Sequence, residues 1–83
     1  PGGIVAQVEP STFTVFLESF GSNKINVIKE LRALTKLGLV EAKALIESAP
    51  VNLADDVDDK RAEEYRQALT GAGAVITIKP FHF

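Results

Sequence analysis

Two helix breakers, Gly38 and Pro50, divide an otherwise continuous helical pattern and most constrain how this chain can fold. Upstream of Gly38, Val27, Leu31 and Leu34 recur at i, i+4 and i+7 and predict a helix from about Lys24 to Leu37. Ser22 or Asn23 is placed to cap it. Downstream, Ala42, Leu45, Ile46 and Ala49 predict a second helix from Leu39 to Ala49. A glycine between them leaves one or two linking residues, so the pair reads as a tight helical hairpin.

The rest of the chain supplies what this hairpin can pack against. Phe13, Val15 and Leu17 alternate with Thr12, Thr14 and Phe16, which predicts a strand over Thr12–Leu17 running towards Phe20. Gly21-Ser22-Asn23 breaks it. Val51 and Leu53 allow a very short strand before an acidic turn at Asp55-Asp56. Asp58 or Asp59 is placed to cap a third helix, whose inward face is Ala62, Tyr65, Leu69 and Ala72, with Gly73 as its stop. Val75–Ile78 reads as the last strand. Two strands so far apart in sequence must pair to bury their apolar faces, with the helices covering one side. The expected fold class is α+β: three helices packed on one face of a small antiparallel sheet. Residues 1–11 read as a hinge end or an expression remnant, and residues 12–83 as one globular domain, an adequate length for a single core.

Catalytic chemistry finds little to work with. The 83 residues contain no cysteine and one histidine, His82, one position before the last residue given. Neither a nucleophile and base pair nor a thiolate metal site can be assembled from that inventory. Asp55, Asp56, Asp58 and Asp59 lack the spacing, central glycine and closing glutamate of a calcium loop, and read as a solvated turn with a helix cap. The expectation is a protein that is not an enzyme and takes no cofactor or metal. No apolar run reaches the length of a membrane span.

Charge is unevenly distributed. Residues 24–43 carry five basic groups against two acids, whereas residues 44–72 carry seven acids against three basic groups. The net charge of −2 conceals one positive region. Direct nucleic-acid binding is disfavoured, because that region is small and holds no aromatic residue for base stacking. On a helical wheel with Val27 at the origin, Ile28, Arg32, Ile25, Lys36 and Lys29 lie at about 100°, 140°, 160°, 180° and 200°. Two isoleucines interleaved with three cations suit a protein-binding face, apolar for affinity and charged for orientation. Alternatively, another helix covers Ile25 and Ile28. Leu39 and Lys43, one turn apart on the second helix, can extend the same patch. The candidate partner-binding residues are therefore Ile25, Ile28, Lys29, Arg32, Lys36, Leu39 and Lys43.

The run Lys24-Ile25-Asn26-Val27-Ile28-Lys29-Glu30-Leu31-Arg32, with Leu37-Gly38-Leu39-Val40-Glu41-Ala42-Lys43 and Glu47-Ser48-Ala49-Pro50, resembles the C-terminal domain of the bacterial-type acidic ribosomal stalk protein of the large subunit. The resemblance covers roughly Thr12 to Lys79. It implies a βααβαβ fold and a non-catalytic role: recruiting translational GTPases (elongation, initiation and release factors) and promoting their GTP hydrolysis. Carried over by position, the factor-contacting surface is Ile25, Ile28, Lys29, Arg32, Leu39 and Lys43. The family's dimerisation and stalk-base-binding N-terminal domain is not in this sequence. The isolated domain is therefore expected to be a monomer, the full-length protein a dimer, and the location the ribosome in the cytoplasm or an organelle matrix or stroma. Lys36, Val40, Ala33 and Asp56 depart from the family's usual residues, and Pro80–Phe83 runs past its usual end. A stalk-like paralogue, or a protease-adaptor-like module that binds a non-ribosomal protein or peptide, is the alternative.

Overall fold

The computed structural model describes residues 12–81, so the expectations for residues 1–11 and for His82 lie outside the described residues. The element order is β1 (Phe13–Ser19), α1 (Lys24–Leu34), α2 (Leu39–Glu47), β2 (Val51–Val57), α3 (Asp59–Gly71) and β3 (Val75–Pro80). The strands form one antiparallel sheet in the order β2-β1-β3, with β1 central. This is the expected α+β class with βααβαβ order.

The pleat of β1 sorts its residues between two faces. Val15 and Leu17 point to the core and are fully buried there with Val27, Leu31, Ile46 and Leu69 from all three helices. Burying each such aliphatic side chain contributes about 1.5–3 kcal/mol relative to leaving it in water. On β1 the opposite face carries Thr14, Phe16 and Glu18, and Phe16 lies beneath the Lys79 ammonium, 4.3 Å from nitrogen to ring centroid. On that face the Thr14 hydroxyl donates to Asp55 Oδ1 at 2.7 Å and the Thr77 hydroxyl donates to Glu18 Oε2 at 2.9 Å.

Several boundaries differ from the sequence-based expectations, each for a local reason. α1 stops at Leu34 and not near Leu37. The backbone N–H and the hydroxyl of Thr35 both donate to the Leu31 carbonyl, at 2.9 and 2.8 Å, while Thr35 itself turns extended. The link to α2 is therefore four residues, Thr35 to Gly38, where one or two were expected. Asn23 occupies the N-cap of α1, yet its side chain makes no capping bond. α2 ends at Glu47, two residues before Ala49. Gly38 caps it, with the Glu41 carboxylate accepting from the Gly38 N–H at 3.4 Å.

β2 is the largest difference. It runs through the acidic pair that was expected to be a turn. Its register against β1 steps from Phe13↔Val57 to Val15↔Ala54 and then to Phe16↔Asn52, so β2 carries an extra residue at each of two bulges. Asp56 sits in the first bulge at φ 59°, a left-handed conformation that Asp tolerates better than most residues. The bulges let Val51, Leu53, Ala54 and Val57 all pack against the core despite their irregular spacing.

α3 matches expectation most closely. Asp58 Oδ1 accepts from the Arg61 N–H at 2.7 Å. At the other end the Gly73 N–H donates to Thr70 and the Ala74 N–H to Leu69, both at 3.0 Å, a paired closure that requires the positive φ of Gly73.

A cationic groove between the first two helices

α1 and α2 run antiparallel, because Lys24 at the start of α1 reaches Glu47 at the end of α2 with 2.8 Å between nitrogen and oxygen. Between them lies a groove of about 440 Å³. Its floor is aliphatic. Ile28 forms it from below at 5% exposure, while Ile25 and Leu39 stand on its edges at 70% and 55%. Its rim is cationic: Lys24, Lys29 and Arg32 come from α1 and Lys43 from α2. Among the described residues, Lys29, Arg32 and Lys43 take part in no ion pair.

Five of the seven residues singled out in the sequence keep both their place and their exposure: Ile25, Lys29, Arg32, Leu39 and Lys43. Ile28 is corrected. It lies at the groove but belongs to the core, because α2 packs along that flank of α1 and widens the buried sector beyond the Val27, Leu31, Leu34 stripe. The covering helix of the alternative reading thus reaches Ile28 and leaves Ile25 open. Lys36 is also corrected. Its wheel position assumed a helix that continues, whereas Lys36 lies in the extended link, exposed and away from the groove lining.

Three contributors were missed. Lys24 and Glu47 line one end of the groove as an ion pair, with the Lys24 ammonium also 5.5 Å from the Phe20 ring centroid. The hydrogen bond from Lys24, followed by the nearby charges of Lys24 and Lys43, holds the Glu47 carboxyl below the ordinary value of 4.5. Arg61 is the third. Its guanidinium donates to the Leu34 carbonyl, pairs with Glu64 at 3.1 Å and stacks 4.9 Å from the Tyr65 ring centroid. A cation at the end of α1 satisfies a carbonyl left open by the early helix stop. No periodicity marks Arg61, because its role is set by where α3 lands.

Two other surface hollows carry charged side chains in their lining. One lies along α3 and is lined by Asp59, Lys60, Glu63, Glu64 and Gln67. The other lies between α1 and α3, where Lys29 and Glu30 face Ala68 and Gly71. Among the described residues no group of three His, Cys, Asp or Glu is arranged to hold a metal ion. No helix among them is long and apolar enough to cross a membrane.

Comparison with known proteins places the chain in a family context. Residues 13–79 match the family described as ribosomal protein L7/L12 C-terminal domain. The large ribosomal subunit protein bL12 of a Nocardioides species is 54% identical over 74 residues, covering 89% of this chain and 56% of that protein. The bL12 of Myxococcus xanthus is 51% identical over 80 residues, covering 95% and 66%. That of Borrelia duttonii is 52% identical over 80 residues, covering 95% and 65%. The chain thus spans between about half and two thirds of the length of these curated relatives.

Proposed function

Because the chain belongs to the ribosomal protein L7/L12 C-terminal domain family, we propose that it is the factor-binding domain of a large-subunit stalk protein, recruiting translational GTPases and promoting their GTP hydrolysis. In this reading the domain performs no chemistry of its own. It raises the local concentration of elongation, initiation and release factors beside the ribosome. A separate N-terminal part of the full-length protein dimerises and holds the stalk base.

The observation that carries the reading is the groove, in which an Ile28 floor with Ile25 and Leu39 on its edges is framed by the unpaired cations Lys29, Arg32 and Lys43. Apolar floors of this kind accept one face of an amphipathic helix, and the cations select a partner surface rich in carboxylates. Charge at the rim speeds encounter more than it deepens affinity, which suits a device that must release each factor after use.

The test is an NMR titration of the isotope-labelled domain with elongation factor G. Amide shifts confined to residues 25–43 are expected. The double reversal Lys29→Glu/Arg32→Glu is expected to remove the interaction while leaving the unfolding free energy within about 0.5 kcal/mol of the parent, since both sites are exposed. Unchanged affinity in that variant would sink the proposal. Co-sedimentation of the full-length protein with ribosomes separates a stalk protein from a paralogue serving another partner.

A further inference from the structure

The groove is not uniformly positive along its length. Lys24 and Arg32 are eight residues apart on α1, about 12 Å along the axis. At the Lys24 end a carboxylate is already present, because Glu47 accepts from Lys24 at 2.8 Å. Glu47 lines the groove and does not point away from it. Towards the other end come Lys29 and Lys43, and then Arg32, none of them ion-paired among the described residues. An acidic partner therefore meets strong attraction at one end and a neutralised pair at the other.

We propose that Glu47 is a specificity-determining residue: it fixes the direction in which an acidic amphipathic helix lies in the groove, with the helix's carboxylates towards Arg32 and a basic side chain beside Glu47. This rests on the reading that the groove receives a helix of a partner protein. A partner carboxylate at the Lys24 end has to compete with Glu47 for Lys24 and meets a like charge, which is penalised. A partner lysine there gains a carboxylate. The simpler role for Glu47 is a staple that holds α1 to α2, and the two roles make opposite demands on Lys24.

Two fluorescein-labelled helical peptides of identical composition separate them. Both carry one leucine stripe. In the first, glutamates are clustered in one half and lysines in the other; in the second the charges are interspersed. The 83-residue chain is expected to bind the clustered peptide about three- to fivefold more tightly, the range of a rim ion pair. Glu47→Gln is expected to bring the two affinities within about twofold. Lys24→Gln leaves Glu47 without its neutraliser and is expected to widen the preference. A nitroxide on the lysine end of the clustered peptide is expected to broaden the Glu47 and Ser48 amides more than that of Arg32. If Lys24→Gln and Glu47→Gln act alike, Glu47 is only a staple and the proposal fails. Equal binding of both peptides by the parent chain also overturns it while leaving the docking function intact. Binding of neither peptide, with elongation factor G still bound, overturns it as well; loss of both kinds of binding removes the docking function itself.

Discussion

The guanidinium of Arg61, in the first turn of α3, donates to the carbonyl oxygen of Leu34, the last residue of α1. This bond joins elements 27 residues apart and sets where the hairpin link leaves the body of the domain. Arg61→Ala removes this cap together with the Tyr65 stack and the Glu64 pair. A loss of about 1–2 kcal/mol is expected in urea unfolding. Amide shifts should concentrate at residues 34–39, and an effect confined to α3 would contradict the assigned role.

Gly21 and Gly73 bring two turns into near contact. A Cβ on Gly21 would overlap the Gly73 carbonyl oxygen, and Gly21 also holds φ 72°. Gly21→Ala is therefore expected to cost about 2–4 kcal/mol, combining left-handed strain with overpacking. Gly71, in the last turn of α3, has open space around its Cα, so Gly71→Ala is expected to be neutral or to stabilise by up to about 1 kcal/mol. Thermal unfolding of the two variants should move in different directions or by very different amounts.

Ile25 and Ile28 face the same groove with different consequences. Ile28→Ala opens the core and is expected to cost about 2–4 kcal/mol of stability. Ile25→Ala is expected to leave stability within about 0.5 kcal/mol, because the side chain is exposed. Its effect should fall on factor binding. Paired calorimetric and titration measurements check both halves, and weakened stability in Ile25→Ala would place that residue in the core.

Acid should weaken the fold in a defined window. Glu47 is held below the ordinary value of 4.5 by its hydrogen bond from Lys24, and Glu63 by hydrogen bonds from Arg66 and then Gln67. A carboxyl whose folded value is depressed binds its proton more weakly in the native state. Its contribution is complete above pH 4.5 and is lost as pH falls through the lower folded value. The urea midpoint is expected to drop between pH 5 and pH 3. Lys24→Gln/Arg66→Gln should show a shallower drop across the same interval.

The resemblance to a ribosomal stalk domain and the family match meet on the same residues, Phe13 to Lys79. What the residues alone established was local. The 3.6 period of Val27, Leu31 and Leu34, the alternation of Phe13, Val15 and Leu17, the Asp58 cap and the Gly73 stop are each decided within a few residues, because helix and strand periods and capping bonds act at short range. The cluster of Lys29, Arg32 and Lys43 was visible for the same reason: exposed charge need satisfy no distant neighbour.

Tertiary structure decided whatever depended on a neighbour far along the chain. α2 turned Ile28 from an outward residue into the groove floor. Arg61 and Thr35 together stopped α1 before Lys36, which removed that lysine from the helical face. Pairing with β1 drew Asp55 and Asp56 into a strand through two bulges, which erase the alternation that would have announced it. Glu47, counted among the acids of the second half, became the counter-charge of the groove because an antiparallel hairpin sets the end of one helix beside the start of the other. A one-dimensional pattern records which residues prefer to be buried or charged; which of them meet is fixed only when the helices close on the sheet.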